Sequence, residues 1–201
     1  MKEKNIIICI LISIFYMVWS WSWMSFGTVY LTDIKGFTPK MAGLIQSAFG
    51  IGGGLGMILM PAVSDRIGRK STLIVGNIIG ILATIGVLNI SGQNPVLLYF
   101  LLSLAAFTAM GSAPIFLAAI ATESVPLERA AVAVGLTAGI GELSGAAMAP
   151  MFLGKIADLY SLSTSMTVGA LCLLPVIAFA LALRETAPRI VNVANAPTFA
   201  E

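Results

Sequence analysis

Ser64-Asp65-Arg66-Ile67-Gly68-Arg69-Lys70 is the densest charge cluster in this 201-residue chain, and it stands between two long apolar runs. An ion at the centre of a bilayer costs about 2.5–3.5 kcal/mol even on the mildest scale, so hydrocarbon cannot hold such a cluster. The cluster therefore marks a loop at one membrane face, and the runs that flank it read as membrane spans. Composition agrees: 58% of residues are hydrophobic, 10% are charged, and the mean hydropathy is +0.98. Ordinary soluble domains are about 25% charged, so this chain has too little polar surface for a water-facing globule. It reads as an all-α integral membrane protein.

Outward from the cluster, a bilayer core of roughly 30 Å asks for about 20 apolar helical residues, and six segments meet that length. They run about Ile6–Tyr30, Met41–Val63, Thr72–Ile90, Val96–Ala121, Ala130–Gly154 and Ser165–Leu183. The breaks between them carry Pro, Gly or charge, as in Ser91-Gly-Gln-Asn-Pro95 and Glu123-Ser-Val-Pro-Leu-Glu-Arg129. The first run is too long for the apolar core of a secretory signal and no small-x-small cleavage site closes it, so it reads as a retained span. Residues 6–189 thus form one six-helix domain, and 190–201 read as a disordered cytoplasmic tail. With the N-terminus inside, the inner segments hold Lys2, Lys4, Arg66, Arg69, Lys70, Arg129, Arg184 and Arg189. The outer loops hold only Lys35, Lys40 and Lys155. The bias puts both termini on the cytoplasmic side of a cytoplasmic (plasma or inner) membrane.

Composition excludes several functions. A net charge of +2 and the lack of a basic run interleaved with aromatics give no reason to expect nucleic-acid binding. The chain has no His, no Ser-Lys or paired-acid arrangement and no metal-ligand spacing, so neither an intramembrane enzyme nor a cofactor is expected. Cys9 and Cys172 read as small buried hydrophobes.

Small residues recur at helical spacing inside the spans: Gly50/Gly54 and Gly52/Gly56 on the second, Gly76/Gly80 on the third, and Gly135, Gly139, Gly141 and Gly145 on the fifth. Such spacing lets helix backbones approach closely in lipid. The second span ends Pro61-Ala-Val-Ser-Asp65 and the fifth Gly154-Lys-Ile-Ala-Asp158. Each follows a Gly-rich helix, which suggests two three-helix units of inverted topology. On the first span Tyr16 and Trp19 share a face with Trp23 and Tyr30. This stripe suits either a solute cavity or packing with an interfacial belt. Gln46, Phe107, Thr108 and Ser112 are further cavity candidates, although intramembrane hydroxyls often serve helix packing. Glu142 lies about twelve residues from either end of the fifth segment, hence near the bilayer centre. It shares a face with Gly135, Gly139 and Ala146, and is expected to point into the bundle. An intramembrane acid is functional by default, for coupling or for substrate contact.

Asp65-Arg66-Ile67-Gly68-Arg69-Lys70 resembles the loop signature Gly-x-x-x-Asp-Arg-x-Gly-Arg-Arg/Lys of the major facilitator superfamily of transporters, with Pro61 where that pattern has its first Gly. Glu123–Arg129, Gly145–Pro150 with Gly154 and Asp158, and Arg184-Glu-Thr-Ala-Pro-Arg189 are similar to features of that family's C-terminal half. The resemblance implies one six-helix half of an alternating-access secondary transporter, needing a second half from a separate chain or another copy. It implies a small organic solute, ion coupling by symport, and cavity roles for the first and fourth spans. The Glu-Thr-Ala-Pro-Arg ending is similar to carriers of organic anions and sugar acids. Asp65, Arg66, Gly68, Arg69 and Lys70 form the expected gating loop, in which Asp65 and the basic residues brace helix ends and Gly68 permits the turn. A membrane-embedded assembly protein, or an inactive remnant without transport, is the alternative.

Overall fold

The computed structural model describes residues 3–90 and 94–194, and within them six helices long and apolar enough to cross a membrane. They are α1 (Lys4–Ile34), α2 (Pro39–Ile67), α3 (Arg69–Asn89), α4 (Pro95–Glu123), α5 (Leu127–Leu159) and α6 (Leu162–Ala182). A short helix, α7 (Pro188–Ala194), follows. It occupies the start of the stretch expected to be disordered, and residues 195–201 lie outside the described residues. The chain is a multi-pass, all-α membrane protein.

Local sequence explains the helix starts. Thr38, Asn94 and Ser161 each accept a backbone N–H from the first turn of α2, α4 and α6, and Pro39 and Pro95 follow two of these caps. Capping satisfies donors that a helix leaves open, and proline at the first position loses no hydrogen bond. The turn between α2 and α3 consists of Gly68 alone, at φ 106°. That conformation favours glycine, and a Cβ there would also meet Glu185 Oε2 at 2.6 Å. Three spans contain a π-helical turn, at Tyr30–Ile34, Ile115–Ala119 and Leu143–Met148.

The pairing of helices follows the expected repeat. Helix α2 of the first unit packs on α4 of the second, and α5 of the second packs on α1 of the first. Likewise α3 packs on α4 and α6 on α1. Exchanging the first three spans with the last three maps one set of pairs onto the other. Because three is odd, the second unit enters from the opposite membrane face. The glycines show why these pairs are so close. A Cβ on Gly52 or Gly56 would overlap the backbone of Ser103 or Phe107 on α4, and one on Gly141 or Gly145 would overlap Ser13 or Met17 on α1. Such backbone approach gives van der Waals packing where lipid offers no hydrophobic drive.

The core lies along α1 and α4. Trp19, Trp23, Tyr30 and Phe116 are among its largest fully buried side chains. Tyr16 meets Phe116 edge-on at 5.2 Å between ring centroids, and Trp19 packs against Phe49 at 5.7 Å. Trp19 Nε1 donates to Thr84 Oγ1 at 3.2 Å, and the Tyr30 hydroxyl donates to Leu88 O at 3.1 Å. In the most apolar 18-residue stretch of α5 only 22% is buried, against 50% for that of α1, so this part of α5 presents most of its surface outward.

Candidate functional site

Two regions are candidates for a functional site: a charged clamp at one end of the bundle and a bare face in its middle. The clamp is centred on Arg69, which is 7% exposed although it is the most basic side-chain type. Its guanidinium pairs with Glu123 on α4 (Nη2–Oε1 2.8 Å) and with Asp65 on α2 (Nη1–Oδ1 2.6 Å), and also donates to Ser64 Oγ. The planar fork suits two carboxylates on different helices, which a lysine could not serve in the same way. Glu123 also accepts from the Thr186 hydroxyl at 2.6 Å.

Beside it, Glu185 caps α3 from a distance in sequence. Gly68 offers α3 no capping side chain, and Glu185 accepts the N–H groups of Arg69 (2.8 Å) and Lys70 (3.1 Å) instead. A carboxylate at a helix N-terminus satisfies open donors and meets the positive end of the dipole. The Lys70 ammonium donates to Leu181 O at the end of α6. Asn5 on α1 donates to Ser124 Oγ and Arg184 O, and accepts from Arg184 N. The clamp thus joins the ends of α1, α2, α3, α4 and α6. Within it Arg69 is sealed, whereas the Asp65 side chain is 58% exposed and Arg66 is exposed. The loop residues were legible in sequence. Their partners Glu123 and Glu185 were not, because one comes from the end of α4 and the other from the segment after α6.

At the other end of the bundle, Lys35 donates to Leu88 O (2.9 Å) and Ile90 O (2.8 Å), the open carbonyls at the C-terminus of α3. Burial pulls its pKa down from the usual lysine value.

The expected cavity residues divide. Tyr16, Trp19, Thr108 and Ser112 are buried between helices of this unit, where they hold α1, α3 and α4 together. Ser112 Oγ accepts from Asn77 Nδ2 at 3.3 Å, a buried α3 partner that the sequence reading passed over. Packing claimed these side chains because α1 and α4 are the central helices. Phe107 is half-buried. Gln46, also half-buried, donates to Trp23 O at 3.0 Å over Gly27, and its Oε1 is buried without a partner.

Glu142 requires a correction of direction. It does share a face with Gly135, Gly139 and Ala146, but that face points out of the six-helix unit and all four residues are exposed. The inward glycines of α5 are Gly141 and Gly145. The exposed surface of α5 has two arcs at 3.6 residues per turn. One carries Leu136, Ile140 and Leu143 and suits lipid tails. The other carries Gly135, Gly139, Glu142 and Ala146, and a Cβ on either glycine would meet nothing within 4 Å. The symmetry-related helix α2 repeats the division. Leu44, Ile51, Leu55 and Ile58 form its bulky arc, and Gly43, Ser47, Gly50 and Gly54 its small one, again with open space over the glycines. Small residues left bare in this way are unsuited to lipid and suited to a closely approaching helix.

A bundle of six spans with paired three-helix units is the architecture of a multi-pass membrane protein of the transporter kind, and comparison with known proteins gives the family. The Major Facilitator Superfamily profile matches residues 8–200. The chain is 31% identical over 163 residues to an uncharacterized MFS-type transporter of Yersinia pestis, an alignment covering 81% of this chain and 41% of that protein. The chain belongs to the Major Facilitator Superfamily, a family of transporters, and spans less than half the length of that relative.

Proposed function

We propose that these six spans are one half of a secondary transporter that moves a small organic solute by alternating access, coupled to an ion gradient. The carrying observation is the pair of bare small-residue arcs on α2 and α5. They are equivalent helices of the two units, and each leaves glycines uncovered beside a bulky arc built for lipid. A second six-helix half, on the same polypeptide, a separate chain or another copy, covers both arcs and encloses the solute between the halves. Glu142 then lies inside the enclosed space, as a coupling or substrate residue. At the clamp, Arg69 stays locked within this half. Arg66, exposed, and Asp65, whose carboxylate stays 58% exposed while paired with Arg69, are the groups that brace a helix end of the second half in one state and release it in the other. The charge bias puts this clamp, and both termini, on the cytoplasmic side of the cell membrane.

The expected likeness to carriers of organic anions rests on the Glu185-Thr186 ending. Those residues also serve the clamp, where Glu185 accepts the Arg69 N–H and Thr186 donates to Glu123. Accessibility of introduced cysteines tests the proposal, with Cys9 and Cys172 first replaced by Ser. In membranes, Gly54→Cys and Gly139→Cys react with a charged, water-soluble thiol reagent, and reaction slows when the second half closes on them. Ile58→Cys and Leu136→Cys face lipid and stay unreactive. Equal labelling of the two arcs sinks the proposal and favours a membrane assembly protein.

A further inference from the structure

We infer that the groove between the starts of α2 and α4, at the bundle end opposite the clamp, holds an anionic phospholipid, with its acyl chain in the groove and its phosphate at Lys40. The groove has a volume of about 350 Å³ and is lined by Met41, Leu44 and Ile45 of α2 and by Pro95, Val96 and Tyr99 of α4. Ile45 is fully buried and lies deepest, while Leu44 and Val96, 59% and 77% exposed, stand at its edges. Leu44 belongs to the bulky arc of α2, which suits lipid tails, and not to the small arc that a second half covers. The groove therefore opens toward the bilayer.

Membrane depth decides what fills it. An empty hollow forfeits the contacts of every atom along its walls. An apolar hollow that faces lipid tails takes hydrocarbon, which here is an acyl chain. Both helices begin at this rim, α2 at Pro39 and α4 at Pro95, so the groove lies just beneath the headgroup layer. Tyr99, one turn into α4, stands at the level of an interfacial aromatic belt.

The rim decides the headgroup. Lys40 directly precedes Met41, is exposed, and makes no ion pair among the described residues. No acidic side chain occupies the first turn of α2 or of α4, and both helices turn the positive ends of their dipoles to this rim. Asp33, the acid of the loop before α2, accepts from the Thr32 hydroxyl. The other lysines at this end are engaged or lie elsewhere: Lys35 is held by the α3 carbonyls, and Lys155 is on α5. A lysine stem lies along apolar surface while its ammonium reaches the headgroups. A cationic rim over an apolar slot fits a phosphate that carries net negative charge, as in phosphatidylglycerol, better than one neutralised by choline.

Native mass spectrometry of the full chain, titrated with lipid in detergent micelles, tests the inference. Dioleoylphosphatidylglycerol is the probe, dioleoylphosphatidylcholine the zwitterionic control, and glycerol 3-phosphate the anion without tails. The chain is expected to bind one phosphatidylglycerol saturably and about fivefold more tightly than phosphatidylcholine, the effect of one lysine at a headgroup. Lys40 is exposed, so Lys40→Gln keeps the fold and is expected to abolish the preference. Lys40→Arg is expected to keep it, and Lys155→Gln to change nothing. Val96→Trp fills the groove from its exposed edge and is expected to weaken both lipids about tenfold. Leu44→Trp repeats that test from the other edge, whereas Leu136→Trp, on the bulky arc of α5, is expected to leave binding unchanged. Equal affinity for the two lipids, an unchanged preference in Lys40→Gln, or unchanged binding in both groove-filling variants each overturns the inference. Displacement of the lipid by glycerol 3-phosphate reveals an anion site that needs no tail and overturns it as well.

Discussion

Replacing Arg69 by Ala is the perturbation whose consequence the structure fixes most closely. The side chain is 8% exposed and bridges Asp65 and Glu123, whose side chains are 58% and 20% exposed. The Asp65 pair is largely solvated, so its loss is worth about 0–1 kcal/mol. The Glu123 pair is different, because removing the guanidinium leaves a largely buried carboxylate with one remaining hydroxyl donor, Thr186. Breaking such a pair costs about 3–5 kcal/mol, which for a chain of this length lowers the melting temperature by roughly 6–20 °C. A thiol-reactive fluorophore provides the assay, since Cys9 is buried and reports unfolding when it becomes reactive. Arg69→Lys keeps the charge but loses the fork, and is expected to fall between wild type and Arg69→Ala. In a double-mutant cycle, Arg69 and Glu123 are expected to couple by about 1–3 kcal/mol, and Arg69 and Asp65 by less. A melting temperature for Arg69→Ala within 2–3 °C of wild type refutes the reasoning. A larger coupling to Asp65 than to Glu123 refutes it equally.

Further expectations follow from the same packing. Gly56→Ala pushes a methyl group into the Phe107 carbonyl and costs about 1–3 kcal/mol, whereas Gly54→Ala, two residues away over open space, leaves the melting temperature of the six-helix unit unchanged within error. The same thermal assay reads both, and similar losses at the two sites contradict the assignment of inner and outer glycines. Thr84→Val removes the acceptor of the Trp19 indole without changing shape, and is expected to cost about 0.6–1.7 kcal/mol, the range of hydrogen bonds between membrane helices. Tryptophan fluorescence should shift with it. Glu185→Gln weakens the cap on α3 and is expected to cost about 1 kcal/mol and to speed amide exchange at Arg69 and Lys70. Unchanged exchange at those two amides argues against the cap.

Much of the fold was legible because hydrocarbon imposes a simple rule. A run of about 20 apolar residues must be a helix that crosses, and a cluster such as Asp65–Lys70 must be a loop. Length and charge therefore settled the six spans, the class of protein and the place of Gly68 before any contact was known. The repeat was legible too, since Pro61–Asp65 and Gly154–Asp158 end equivalent helices. Direction around each helix was not. The sequence places Gly50/Gly54 beside Gly52/Gly56, and Gly135/Gly139 beside Gly141/Gly145, with nothing to say which pair packs inward. Small residues suit a helix partner inside the unit as well as one outside it. Only the packing of α2 on α4 and of α5 on α1 assigned Gly52, Gly56, Gly141 and Gly145 to the interior and turned Glu142 to the open face. The same packing buried Tyr16 and Trp19, the packing alternative of the sequence reading, and gave Arg69 its distant partners, because those contacts join residues that share no spacing along the chain.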